Sequence, residues 1–140
     1  MTDLNTLLAE RDIARLVVQY CDFVDTRQYE RVLTLFTKDG VLNRPDIGPS
    51  KGHAGIKAFF DTVTTDPLVH SSSNPIVHVT GADTAEGSSY VTVYRSYRKN
   101  HAGVPKIEAP YLIVKYEDKY IRENGQWLIS FRDTLFLMRE

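Results

Sequence analysis

The stretch YEDKYIRENGQWLISFR, Tyr116–Arg132, decides how the second half of this 140-residue chain is expected to fold. Asn124-Gly125 stands between two runs rich in aromatic and β-branched residues. This dipeptide accepts the positive φ angles of a two-residue hairpin turn. The sequence therefore predicts two antiparallel strands joined at Glu123-Asn124-Gly125.

The strand after this turn, QWLISFRDTLFLM (126–138), has apolar residues in both of its alternating sets. Strict alternation places Trp127, Ile129, Phe131 and Leu135 on one face, and Leu128, Phe136 and Met138 on the other. A sheet that is apolar on both faces needs two covers. We expect helices on one face and, on the outer face, a second copy of the chain in a homo-oligomer, a dimer or trimer.

Two further segments have strand composition, NPIVHVTG (74–81) and AEGSSYVTVYRSY (85–97), and PYLIVKYEDKYIR (110–122) contains the strand before the turn. They are rich in Val, Ile, Tyr and Thr and are separated by turn residues, which predicts successive antiparallel strands.

In the first half of the chain the spacing of apolar residues is that of helices. Apolar residues recur at helical spacing in three stripes. The stripes are Ile13, Leu16, Val17, Tyr20 and Val24; then Tyr29, Val32, Leu33 and Phe36, ending at Asp39-Gly40; then Ile56, Phe59, Phe60 and Val63, after the loop NRPDIGPSKGHAG (43–55). Three helices before a sheet predict the α+β class, and the length predicts a single domain over 1–140.

The charge balance and the cysteine content of the chain indicate which partners and which compartment to expect. With 17 Lys+Arg against 18 Asp+Glu and no long charged block, we expect neither nucleic acid nor a membrane as a partner. Cys21 is the single cysteine, which excludes an intramolecular disulfide and fits a reducing cytoplasm. The N-terminus lacks the pattern of an export signal, so we expect a cytoplasmic protein.

Several kinds of chemistry have no support in the motifs. His53, His78 and His101 lack ligand spacing, so no metal is expected. The glycines fit neither a dinucleotide nor a phosphate loop, and there is no G-x-S-x-G elbow, so we expect no cofactor and no acyl-enzyme.

Polar residues interrupt the first helix. Asp22 lies about 180° from the apolar stripe and is expected in solvent, whereas Asp25 lies about 120° from it, near the helix end. Tyr20 lies within the stripe, so its hydroxyl needs a partner in the core or in a cavity.

Two more polar residues are candidates. Arg132 needs an anionic partner, either a carboxylate at the sheet edge or a ligand in a pocket. His70, beside three serines and Asn74, is either a surface histidine or a catalytic one.

Over nearly its whole length the chain resembles the SnoaL-like branch of the NTF2-like superfamily. The resemblance is carried by IARLVVQYCDFVDTRQYERVLTLFTKDGVL (13–42), GHAGIKAFF (52–60), HSSSN (70–74), GADTAEGSSY (81–90) and YEDKYIRENGQWLISFR (116–132). It implies a cone: three N-terminal helices packed on a strongly curved, mostly antiparallel sheet that encloses a hydrophobic pocket.

The resemblance also implies roles for residues. Dehydratases of this branch use a tyrosine on the first helix, an aspartate five residues later, a histidine on the first strand after the helices and, in some members, an arginine on the last strand. Tyr20, Asp25, His70 and Arg132 match these places and are expected to be catalytic. Asn74, Tyr90 and Tyr94 are expected to contact the substrate, the two phenols standing where other members carry an acid or a histidine.

The expected function is a cofactor-independent lyase or isomerase, dehydratase- or cyclase-like, acting through an enolate on a small, apolar, cyclic substrate. In it Asp25 orients His70, His70 removes a proton alpha to a carbonyl, and Tyr20 and Arg132 polarise the oxygen. The alternative is a non-catalytic module that binds a small ligand or assembles with a partner, as the small subunits of ring-hydroxylating dioxygenases do.

Overall fold

A long amphipathic helix begins the structure, a computed structural model that describes residues 3–140. Helix α1 (Leu4–Asp25) is capped by Asp3, whose carboxylate accepts a hydrogen bond from the Thr6 N–H at 2.8 Å. Every member of the predicted stripe is buried, and Asp22 is exposed. The periodicity therefore located the buried face of this helix correctly.

The second helix is much shorter than the sequence predicts. Helix α2 (Tyr29–Leu33) ends early, and strand β1 (Phe36–Arg44) occupies the residues expected to continue it to Asp39. The physical reason is a long-range pairing: Phe36 pairs with Ile129, whose N–H donates to the Leu35 carbonyl oxygen at 2.8 Å. The prediction of a helix there is wrong, although Phe36 is buried as expected.

The predicted loop 43–55 is also more ordered than expected. It contains strand β2 (Gly48–Lys51) and the start of helix α3 (Gly52–Phe60), so the third helix begins and ends earlier than its stripe indicates. The strand pairs with β1 in antiparallel register, Leu42 opposite Ser50.

Five further strands complete one sheet, and the helices pack on one of its faces. They are β3 (Leu68–Ser72), β4 (Ile76–Val79), β5 (Thr84–Arg95), β6 (Leu112–Glu123) and β7 (Gln126–Arg139). The order is β2-β1-β7-β6-β5-β3, with β4 also on β5, and all pairings are antiparallel except β1 with β7. The α+β class and the curved, mostly antiparallel sheet are confirmed. The hairpin turn is confirmed too, with φ of 50° at Asn124 and 76° at Gly125.

A β-bulge changes which residues of β7 share a face. Ile129 pairs with Tyr120 but Phe131 pairs with Lys119, so Ser130 is an extra residue. Trp127 and Ile129 therefore share the helix-covered face with Arg132, Thr134 and Phe136. The strict alternation expected from the sequence, with Phe131 beside Ile129, is wrong beyond Ser130.

The outer face of the sheet is consequently more polar than expected. Around Phe131 and Leu135 it carries a mixture of charges, namely Lys115, Glu117, Lys119 and Asp133. Assembly of a homo-oligomer through this face stays a prediction. No helix among residues 3–140 has the length and apolarity to cross a membrane.

Candidate active site

A cavity of about 330 Å³ lies between the helices and the sheet. Helices α1 and α3, strands β1, β3, β5 and β6, and the connections around them all contribute to its wall. Its lining is mainly apolar and aromatic: Tyr20, Val24, Arg44, Ile47, Phe59, Phe60, Thr62, Val63, Thr64, Leu68, His70, Val93, Arg95, Tyr111, Leu112, Val114 and Tyr116. The segments 43–54 and 64–67, which bracket part of this wall, supply Arg44, Ile47 and Thr64.

His70 and Asp25 form a hydrogen-bonded pair at this cavity. Asp25 is the last residue of α1, and His70 is the middle residue of β3. His70 Nδ1 lies 2.5 Å from Asp25 Oδ1, and the backbone N–H of His70 donates to Asp25 Oδ2 at 2.7 Å. One carboxylate thus holds both the backbone and the ring of His70.

This arrangement selects one form of the imidazole. A carboxylate accepts hydrogen bonds, so the Nδ1 of neutral His70 carries the proton and Nε2 has a free lone pair. The His70 side chain is 9% exposed and lines the cavity, whereas Asp25 is not part of the lining. An imidazole held by a carboxylate therefore lines the cavity.

Two phenols share that space with His70. Tyr20 and Tyr116 are buried and pack edge to face, with ring centroids 5.8 Å apart. Burial raises the pKa of Tyr20 above its usual value, and it raises that of Tyr116 further, although Arg132 opposes both shifts. Both phenols are consequently protonated at neutral pH and can donate a hydrogen bond.

Arg132 occupies neither of the two positions that the sequence leaves open for it. Its side chain is fully buried, and it donates from Nε and Nη2 to the two oxygens of Asp118 at 2.8 Å each. Asp118 lies on the neighbouring strand β6, inside the sheet rather than at its edge, and also accepts from the Tyr120 hydroxyl. Arg132 is absent from the cavity lining, so its expected contact with substrate stays a prediction.

Arg132 instead supports the wall from behind. Its Cζ lies 4.4 Å from the ring centroid of Tyr20 and 4.1 Å from that of Tyr116. A guanidinium between two rings is attracted to both π faces. The arginine therefore packs against both phenol rings from behind the cavity wall.

The three residues expected to contact substrate lie elsewhere. Asn74 is exposed, and Tyr90 and Tyr94 are 50% and 38% exposed. On β5 the helix-covered face belongs to Ser89, Val91 and Val93, so alternation turns the two tyrosines to the outer face. The expectation that they line the pocket is corrected.

Sequence reasoning also missed the arginines and two of the tyrosines in the lining: Arg44, Arg95, Tyr111 and Tyr116. Arg44 lay in the predicted loop, and Tyr116 and Tyr111 lay in a predicted strand whose inward face was not assigned. The alternation of β6 could have shown that Tyr116 points inward, but only if the pairing of β6 with β7 had been known. Among residues 3–140, no three side chains of His, Cys, Asp or Glu lie together as a metal site requires.

The comparison with protein families gives one match. The model described as a SnoaL-like domain covers residues 5–133, which is nearly the whole chain and includes every residue of the cavity. No curated protein sequence matches the chain.

Solved structures of similar fold cover both chains almost fully. A protein provisionally named scytalone dehydratase from Novosphingobium aromaticivorans has 21% identity over 96% of this chain and 87% of its own, with a TM-score of 0.81. The hexachlorocyclohexane dehydrochlorinase LinA-type3 from Novosphingobium barchaimii has 21% identity over 98% and 92%, with a TM-score of 0.81. An NTF2-like protein with a cystatin-like fold from Novosphingobium aromaticivorans has 23% identity over 98% and 92%, with a TM-score of 0.78. At these identities the likeness concerns the fold.

Proposed function

The chain belongs to the SnoaL-like domain family, and from that premise we propose that it is a lyase or isomerase that needs no cofactor. Its substrate is a small, mainly apolar, cyclic carbonyl compound, and the reaction passes through an enolate. Solved structures of the same fold include proteins named as a dehydratase and a dehydrochlorinase, both lyase-type activities.

The observation that carries the proposal is the Asp25–His70 pair at the cavity. A general base must open onto the substrate site, where it can reach the proton that it abstracts, and a hydrogen bond to a third group orients it. His70 meets both conditions, since Asp25 fixes Nδ1 at 2.5 Å and the ring lines the cavity.

In the first step Nε2 of His70 removes a proton alpha to the substrate carbonyl. The electrons of the broken C–H bond move to the carbonyl oxygen, forming the enolate, while the Asp25 carboxylate stabilises the resulting imidazolium. Tyr20, a protonated phenol in the wall, donates a hydrogen bond to the enolate oxygen. Donors preorganised in this way contribute about 2.7–4 kcal/mol each in a water-excluded site.

The second step returns the proton. In a dehydration, the enolate electrons form the C=C bond, the beta C–O bond breaks, and the imidazolium protonates the departing hydroxyl, which leaves as water. In an isomerisation, the imidazolium delivers the proton to another carbon of the enolate. His70 is neutral again at the end of either route.

Ligand binding without turnover is the second candidate. The placement of Arg132 favours it, because one of the four residues expected at the reacting atoms is tied to Asp118 outside the cavity lining. A binding module would use the same aromatic walls and would not depend on His70 for affinity.

Hydrogen–deuterium exchange tests the chemistry before a natural substrate is known. The protein is incubated in D₂O with cyclohexanone, 2-tetralone and 4-oxocyclohexanecarboxylate, and deuterium alpha to the carbonyl is followed by NMR. We expect wild-type protein to accelerate exchange of at least one ketone. The His70→Gln variant should lose that acceleration by roughly 10²-fold or more, since general-base catalysis contributes about 10²–10⁴-fold.

The matched control is His78→Gln, at an exposed histidine on β4 outside the cavity, which should exchange like wild type. Equal exchange by wild type and His70→Gln would sink the proposal. Binding of a ketone with no acceleration of its exchange would support the binding module instead.

A further inference from the structure

The charges of the cavity wall are of one sign. Two guanidinium groups, those of Arg44 and Arg95, belong to the lining, and no Asp or Glu side chain among residues 3–140 does. The wall is otherwise apolar or aromatic apart from threonine hydroxyls and His70. A charged side chain beside an apolar cavity is costly unless it has a partner, so the partners of each arginine determine which of its donors remain for a ligand.

Arg44, the last residue of β1, is held in a fixed orientation. Its Cζ lies 5.1 Å from the ring centroids of both Phe59 and Phe136, so the guanidinium lies against two aromatic rings. Nε and Nη2 donate to the two oxygens of Asp46 at 3.1 and 3.0 Å. Because a guanidinium has five N–H donors, the Nη1 edge remains for another acceptor.

Arg95, the last residue of β5, is held in a similar way. Its Cζ lies 4.7 Å from the ring centroid of Tyr97 and 5.5 Å from that of Tyr111. Nε and Nη2 both donate to Asp66 Oδ2, at 2.9 and 2.7 Å. The segment that carries Asp66 is itself fixed, since Arg27 donates to the carbonyl oxygens of residues 64–66.

The two aspartates stand on the solvent side of these pairs. Both arginine side chains are 24% exposed, whereas Asp46 is 33% and Asp66 37% exposed, and neither carboxylate is in the cavity lining. A ligand in the cavity would therefore contact the two guanidinium groups and not the two carboxylates. The positive charge of Arg44 also acts on the phenols of the cavity wall. It favours their ionised form and so opposes the rise in pKa of Tyr20 and Tyr116.

We propose that Arg44 and Arg95 bind a carboxylate of the substrate, so that the substrate class is a small cyclic carboxylic acid. This proposal rests on the proposed function for the chemistry at His70, but the binding of the anion does not require turnover. Planar guanidinium groups match the geometry of a carboxylate, and hydrogen bonds between two ions are about twice as strong as neutral ones.

The dimensions agree with such a ligand. A cavity of about 330 Å³ is at the small end of the range of roughly 300–1,000 Å³ found for small-molecule sites. The aromatic and aliphatic lining would surround the ring of the acid, and the arginines would fix its charged end. That end would also set which ring carbon stands at His70.

Calorimetric titration with a matched pair of probes tests this inference. The probes are 2-naphthoate and its uncharged analogue 2-naphthamide, which share ring and shape. We expect wild-type protein to bind the carboxylate at least about tenfold more tightly than the amide. Arg44→Gln and Arg95→Gln should each reduce that ratio, and the double variant should bring it near one, while the affinity for the amide stays unchanged.

Two further variants complete the design. Arg98→Gln, at an arginine that pairs with Glu108 outside the cavity, should keep the wild-type ratio. His70→Gln should keep it as well, which separates anion binding from the proposed catalysis. The inference is overturned if wild type binds the carboxylate no more tightly than the amide, including no binding of either, or if the double variant retains the preference.

Discussion

Arg132 on β7 and Asp118 on β6 form a two-point ion pair in which neither side chain has any exposed surface. The pair lies directly behind the Tyr20 and Tyr116 rings. Removing two charges from water carries a large penalty, which only close geometry and further hydrogen bonds offset. The Tyr120 hydroxyl supplies one such bond, donated to Asp118 at 2.7 Å.

Replacing only one member of this pair should destabilise the protein strongly. Arg132→Met leaves a buried carboxylate without its cation, which costs about 3–5 kcal/mol of unfolding free energy. The double variant Arg132→Met with Asp118→Leu should recover most of that loss. Urea denaturation measures both, and a double variant no more stable than Arg132→Met would contradict the argument. Arg98→Met, at a pair with a 66% exposed arginine, should leave the midpoint unchanged.

Asp25→Asn should impair proton abstraction without unfolding the protein. The amide nitrogen of asparagine can donate to Nδ1, which would move the proton of His70 to Nε2 and remove the free lone pair. We expect deuterium exchange alpha to the carbonyl to fall by about 10²-fold or more. Asp22→Asn, three residues earlier on the exposed side of α1, is the matched control and should exchange at the wild-type rate. Wild-type exchange in Asp25→Asn would show that the carboxylate does not orient the base.

Stability should fall at alkaline pH because of the buried phenols. Above pH about 10, tyrosines of the unfolded chain lose their protons, whereas Tyr20 and Tyr116 keep theirs because burial raises their pKa values. The unfolded state then binds fewer protons, so the free energy of unfolding decreases as pH rises. Each retained proton contributes a slope of about 1.4 kcal/mol per pH unit. Urea titrations between pH 9 and 11 should give a shallower slope for Tyr20→Phe than for wild type; equal slopes would contradict this origin.

Gly87→Ala should disturb the pairing of β4 with β5. Gly87 pairs with Val77, and a Cβ at this position would stand 2.5 Å from the carbonyl oxygen of Ile76. Overpacking of this kind costs about 1–3 kcal/mol. In the control Gly55→Ala the nearest atom is 3.4 Å away, and an alanine in a helix gains up to about 1 kcal/mol over glycine. The denaturation midpoints of the two variants are compared in urea. Equal midpoints for Gly87→Ala and Gly55→Ala would mean that β4 shifts to accommodate the methyl group without loss of stability.

The parts of the fold that sequence could predict depend on local chemistry. Helix α1 follows from one unbroken 3.6-residue period, and the turn at Asn124-Gly125 follows from the φ angles that these two residues tolerate. The Asp25–His70 pair was predicted because the family resemblance supplied the spatial relationship of two residues that lie far apart in the chain. The parallel pairing of β1 with β7 was missed, because Phe36 suits a helix or a strand equally well and only Ile129 decides between them.

The candidate site was predicted unevenly for the same reason. The helical position of Tyr20 predicted that its side chain points inward, to the core or to a cavity, and the family resemblance favoured the cavity, whose wall it joins. Tyr90 and Tyr94 were misassigned because the sequence does not say which face of β5 the helices cover. Arg132 does lie on the covered face, but its pairing with Asp118 depends on the register between β6 and β7. Arg44 and Arg95 gave no signal, because their partners Asp46 and Asp66 are surface residues that resemble any other exposed charge.

The extra residue at Ser130 determines which side chains of this strand lie inside the fold. Successive side chains of a strand point to opposite faces of the sheet. One inserted residue therefore moves every side chain beyond it to the other face. The bulge is therefore what admits Arg132 to the interior while the Trp127–Ile129 end keeps its own orientation. The interior position of Arg132 therefore depends on the number of residues that separate it from Ile129 as much as on their identity.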